Sequence, residues 1–192
     1  MVEKLKFLNE QCANLLKNYF LVDVNENYVV LRHGDCWMNN FLFHYDENEI
    51  NPDKVAVIDW QMSMIGSPMS DLAFFLFYGC SKTELDHLDD LLDFYYDNLS
   101  NNLRKLGSEP ETCFPKGKVM ETFKKYALAA IVGMPLMVKI SYVSNLPEKC
   151  DYSEVGQEGG FNCDCEEKLR DEEGYIRRLD GLLKLCIERG FL

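Results

Sequence analysis

Between Val30 and Gln61 the chain reads VLRHGDCWMNNFLFHYDENEINPDKVAVIDWQ, and Asp35, Asn40 and Asp59 are residue types that phosphoryl transfer requires. Moving a γ-phosphoryl group takes little covalent help from a protein. It takes a carboxylate that orients the acceptor hydroxyl and accepts its proton, and oxygen ligands that hold Mg²⁺ across the nucleotide phosphates. Mg²⁺ favours hard oxygen donors, commonly one or two from the protein, with phosphate and water completing the shell. Asp35 suits the first task and Asn40 with Asp59 the second. The alternative is a surface turn with polar ends, because Asp and Asn taken singly are turn residues.

Those side chains need elements to hold them. Asn40 to Tyr45 (NFLFHY) and Lys54 to Trp60 (KVAVIDW) are β-rich runs around a polar DENEINPD, which predicts an antiparallel hairpin. A hairpin brings Asn40, starting one strand, and Asp59, ending the other, to the same end, with Asp35 beside them. Val29 to Leu31 reads as a short strand or lead-in. Ser67 before Pro68 has the form of a helix N-cap with Pro in the first turn. Asp71 then falls in that turn, or just after it, ahead of the apolar Leu72 to Tyr78. A carboxylate there is stabilised by the helix dipole in any case.

The remainder is helical in pattern. Leu5, Leu8, Cys12, Leu15, Leu16 and Phe20 keep helical spacing over residues 4–20. Leu85, Leu88, Leu92, Tyr95, Tyr96, Leu99 and Leu103 keep register over 82–107, and two more helical stretches cover 116–143 and 166–192. Residues 144–164 are polar and read as a surface loop. The expected class is α+β, mostly helical, with one small hairpin framed by helices.

A length of 192 residues suits one domain, or one and a fraction. A net charge of −12 argues against nucleic acid or an anionic membrane as the main partner, since both repel an acidic surface. An anionic nucleotide in a metal-filled site remains compatible with it. The run Tyr126 to Val138 is too short to span a bilayer and reads as a buried helix. The N-terminal MVEKLKFLNEQ has no apolar signal region, so the eight cysteines are expected reduced and the location cytoplasmic. Cys150, Cys163 and Cys165 lie near one another without the usual zinc spacing. His44 and His87 read as solvated.

His33-Gly34-Asp35, Asn40 and Ile58-Asp59 resemble the catalytic-loop and metal-binding motifs of the aminoglycoside and choline phosphotransferases, relatives of protein kinases. HGDCWMNN, then IDWQ, SPMSDLAFFLF and a late ERGFL are similar more narrowly to the ecdysteroid kinase-like (CHK kinase-like) family. That resemblance runs over nearly the whole chain. It implies ATP and Mg²⁺ as cofactors, Asp35 as the catalytic Asp, and Asn40 and Asp59 as metal ligands. It makes His33 the residue that braces Asp35, and Asp71 the acceptor of hydrogen bonds from the catalytic-loop backbone. Trp37 would sit on the acceptor side, or with Phe41 in the core, and Gln61 just past the metal site. Trp60 stands where this family more often has Phe.

The resemblance also sets an expectation about extent. Enzymes of this kind are two-lobed, and the smaller lobe covers the nucleotide with a glycine-bearing loop and a strand Lys. The 32 residues before His33 contain no glycine, and Lys4, Lys6 and Lys17 lie on the opening helix. Residues 1–192 are therefore expected to correspond to the C-terminal lobe, weakly active or inactive alone, with an exposed lobe interface through which it self-associates. The implied reaction is γ-phosphoryl transfer to a small-molecule alcohol, with ecdysteroid-like steroids as the acceptor class. The competing reading is a non-catalytic, pseudokinase-type binding domain.

Overall fold

The computed structural model describes residues 2–20, 27–46, 50–143 and 169–192. The segment 144–164, with Cys150 and Cys163, and also Cys165, lies outside the described residues. The chain opens with α1 (Val2–Phe20), whose Leu8 is buried. Then come β1 (Val30–Arg32), β2 (Phe41–Tyr45), β3 (Pro52–Val57) and β4 (Met64–Gly66). Helices α2 (Pro68–Gly79), α3 (Lys82–Leu85), α4 (Leu88–Lys105), α5 (Pro110–Cys113), α6 (Val119–Tyr142) and α7 (Glu172–Glu188) complete it. The architecture is mostly helical, with two small antiparallel pairs.

The hairpin forms as its alternation requires, with Phe41 opposite Val57 and Phe43 opposite Val55. Its second strand starts earlier and stops sooner than the Lys54–Trp60 run. Chain direction breaks after Val57 because Asp59 adopts a left-handed backbone, φ 62° and ψ 59°, and Trp60–Met62 form a 3₁₀ turn. Asp59 is therefore beyond the strand and not its last residue. Asn40 likewise ends a 3₁₀ turn, Met38–Asn40, and the strand begins at Phe41.

β4 is absent from the sequence reading. Three residues, MIG, carry too little pattern to register as a strand, yet they pair with β1, Val30 facing Gly66 and Arg32 facing Met64. The long helix expected over 82–107 is two helices. A capping box between Ser81 and Glu84 starts α3, and α4 begins afresh after His87.

The helices supply the foundation. α2 packs mainly on α6, and α6 is flanked by α1 and α7. Phe77, Phe123 and Phe191 meet at ring-centroid distances of 6.1 to 6.2 Å in the core. Around them Met69, Leu85, Leu88, Ile131, Met134, Leu182 and Leu185 are fully buried. The Tyr126–Val138 run is part of buried α6, as its composition predicts, and Pro135 sits within that helix. Among the described residues, no helix is long and apolar enough to cross a membrane. Cys36, Cys80, Cys113 and Cys186 are free thiols.

Candidate active site

The site is assembled on the amino end of α2. Ser67 caps that helix, its Oγ accepting from the Met69 N–H at 3.3 Å, and Pro68 takes the first turn. Asp71, one turn in, accepts from the backbone N–H of His33 at 2.5 Å and of Gly34 at 3.0 Å. A single carboxylate thus holds two consecutive amides of the loop that carries Asp35. Its charge also lies in the first turn of α2, where the helix dipole favours an anion.

Gly34 is required at its position on two counts. Its φ is +83°, and a Cβ there would overlap the carbonyl oxygen of Met62. Beneath the loop, buried Arg32 donates from Nη1 to Ser70 Oγ at 3.2 Å, which in turn donates to the Ser67 carbonyl at 2.7 Å. Gly66, across from β1, leaves room for that arginine: a Cβ would lie 2.9 Å from Arg32 Cδ. β1, β4 and the head of α2 are thereby locked together under the loop that carries Asp35.

The His33 ring joins the two halves of the site. The Asp35 N–H donates to its Nδ1 at 3.3 Å, which makes Nδ1 the lone-pair nitrogen. Nε2 then carries the proton and donates to the Ile58 carbonyl at 2.8 Å, tying the loop to the residue before Asp59. The Trp60 ring covers it at a centroid distance of 4.7 Å, while its own Nε1 donates to the Val57 carbonyl at 3.0 Å.

Asn40 is buried, and its Nδ2 donates to Asp35 twice, to the backbone oxygen at 2.9 Å and to Oδ2 at 3.0 Å. Its backbone carbonyl accepts from the Ile58 N–H at 3.0 Å, so the neck of the hairpin draws residues 40 and 58 together. With Nδ2 committed to Asp35, the atom Asn40 has left for a cation is Oδ1. Asp59 next door is exposed, its Oδ2 accepting from Gln61 Nε2 at 3.4 Å. Both donors are hard oxygens, which fits Mg²⁺. Among the described residues no three His, Cys, Asp or Glu side chains gather, so a cation here would rest on these two groups with phosphate and water oxygens.

Trp37, the remaining aromatic of the motif, packs half-buried against the core, with its indole N–H buried and lacking an acceptor among the described residues. Cys36 is enclosed, and burial, reinforced by the charges of Asp71 and Asp35, pushes its thiol up to about 12. Sequence reasoning did not single out Arg32, Ser70 or Tyr95 at this site. Arg32 directly precedes His33 and Ser70 lies within SPMSDLAFFLF, but their contact with each other, and the approach of Tyr95 from α4, come only from tertiary packing.

The structure thus brings His33, Asp35, Asn40 and Asp71 into one hydrogen-bonded unit with Asp59 and Gln61 at its edge. The model of the ecdysteroid kinase-like family matches residues 2–108, more than half of the chain. The chain belongs to the ecdysteroid kinase-like family. It is also similar to Acyl-CoA dehydrogenase family member 11 of Pongo abelii and of Homo sapiens, each 45% identical over 60 residues, 31% of this chain. The Rattus norvegicus protein of the same name is 40% identical over 60 residues. This ecdysteroid kinase-like chain spans only 7% of the length of those relatives. No solved structure matches it.

Proposed function

We propose that this chain forms the catalytic, C-terminal lobe of a protein-kinase-like phosphotransferase that moves the γ-phosphoryl group of ATP to a hydroxyl of a small molecule. Steroid alcohols of the ecdysteroid kind are the proposed acceptor class. The observation that carries the reading is the double hydrogen bond from Asn40 to Asp35, on a loop whose amides Asp71 holds from below.

In this reading Asp35 Oδ2 is steadied by Asn40, and Oδ1 accepts the proton of the acceptor hydroxyl as its oxygen bonds to the γ-phosphorus and the bond from that phosphorus to the departing ADP oxygen breaks. Asn40 Oδ1 and the Asp59 carboxylate would hold Mg²⁺, which would supply charge stabilisation for the transferring phosphoryl group. His33 acts as a positioning residue: its Nε2–H fixes the Ile58 carbonyl, and its Nδ1 fixes the Asp35 amide. The left-handed backbone at Asp59 belongs to the same task, since it turns the chain out of the strand just where a metal ligand is needed.

Calorimetry of Mg·ATP binding to this chain and to Asp59→Ala tests the proposal. Binding that depends on Mg²⁺ and is lost in the variant is expected. A folded wild-type chain that binds no Mg·ATP would refute it for this polypeptide. Asp35→Asn should keep nucleotide binding while lowering phosphoryl transfer by roughly 10²- to 10⁴-fold, the usual worth of a general base.

A further inference from the structure

Behind the catalytic loop lies a cavity of about 320 Å³, lined by Val30, Leu31, Cys36, Phe41, Leu72 and Phe75 among its apolar and sulfur-bearing groups. Arg32, Asp71 and Tyr95 complete the wall. Its position is informative. Cys36 follows Asp35 directly, and Asp71 is the residue that holds the loop amides. The volume is at the small end of the range for ligand sites, about 300–1,000 Å³, and suits one end of a steroid better than a whole one.

Most hydrogen-bonding atoms on this wall are committed elsewhere. Arg32 bonds to Ser70, and both Asp71 oxygens accept from the loop backbone. The Cys36 thiol stays protonated and is a weak donor. The Tyr95 hydroxyl, on α4, makes no hydrogen bond among the described residues. Burial, with the charge of Asp71 adding to it, pushes its pKa up, so the phenol remains a donor at any working pH. A half-buried phenol usually finds a partner. Here the open side of the cavity is where one can arrive.

We infer that this cavity seats the apolar body of the acceptor, and that the Tyr95 hydroxyl donates a hydrogen bond to an acceptor oxygen other than the one phosphorylated. The inference rests on the phosphotransferase reading above and deepens it: the preferred substrate is an apolar alcohol carrying a second, distal oxygen. Tyr95 is then a specificity-determining residue. It discriminates because a ligand lacking the partner atom forgoes the hydrogen bond that the half-buried phenol would donate.

The test is a pair of titrations on the 192-residue chain without nucleotide. The probes are testosterone, a steroid alcohol with a distal ketone, and its analogue in which that ketone carbon is a methylene. The ketone form is expected to bind about fivefold to tenfold more tightly. Tyr95→Phe keeps the ring and should abolish that preference while leaving the analogue's affinity unchanged. Leu72→Trp should fill the cavity and weaken both ligands about tenfold or more, with the circular dichroism spectrum of the wild type retained. Equal affinity for the two steroids overturns the inference. So does a preference that survives Tyr95→Phe, or the absence of steroid binding. Mg·ATP binding is read separately, so its failure sinks the phosphotransferase reading while the titrations still decide the cavity.

Discussion

At the scale of single residues, Gly34 shows how tightly the loop that carries Asp35 is specified. Its positive φ and the Met62 carbonyl against it both forbid a side chain. Gly34→Ala should therefore destabilise the chain by about 2 kcal/mol or more, as a shift in the urea midpoint, since backbone strain of this kind costs of order 1–3 kcal/mol. Cys36 gives a second expectation. A thiol held near 12 is almost wholly protonated at pH 8, so iodoacetamide should modify Cys36 roughly a thousandfold more slowly than an exposed thiol at 9.0. The same shift has a stability consequence. Cys36 and Cys186 each titrate at about 12 in the folded chain, above the value of 9.0 for an exposed thiol, so the folded state retains protons that the unfolded state loses. Stability is unaffected by these groups below pH 9 and falls as pH rises from 9 towards 12. Denaturant midpoints measured across that window should drop less in Cys186→Ala.

At the scale of elements, the site depends on how α2 begins. Ser67 caps it and Asp71 projects from its first turn, and the two variants should separate these duties. Ser67→Ala loses one cap bond and should cost about 1 kcal/mol of stability. Asp71→Asn keeps the size but removes a charge-assisted acceptor from two loop amides, and an amide can accept through only one oxygen. A loss of about 1.5–3 kcal/mol is expected, with phosphoryl transfer falling further than the lost stability accounts for. Equal effects of the two substitutions on activity would mean that Asp71 serves the helix alone.

At the scale of the molecule, the hairpin and the β1–β4 pair leave apolar side chains exposed. Leu42 is 55% exposed, Val55 56% and Ile65 50%, with Leu31, Phe43, Trp60 and Met62 also exposed. In the proposed reading a covering lobe would bury part of this surface. Such a surface associates when nothing covers it. Sedimentation velocity should therefore find concentration-dependent self-association of the chain, reduced by Leu42→Lys with Val55→Glu. A monomer at all concentrations would contradict that expectation.

Much of the site was legible from local pattern. The hairpin follows from alternation over a few residues, the Ser67–Pro68 helix start from capping chemistry, and the candidate roles of Asp35 and Asn40 from a spacing of five along one loop. These are short-range properties, decided by backbone sterics and hydrogen bonds within a turn or two. The rest depends on distance in sequence. Asp71 meets His33 across 38 positions, Tyr95 reaches the wall behind Cys36 from another helix, and MIG becomes a strand only because VLR lies beside it. Neither the left-handed turn at Asp59 nor the break between α3 and α4 shows in the hydrophobic pattern. The chemistry on offer was thus written in the order of residue types, whereas the orientation of that chemistry needed the fold. A hydrogen bond or a cavity wall exists only when burial brings distant side chains together and pays their ordering cost.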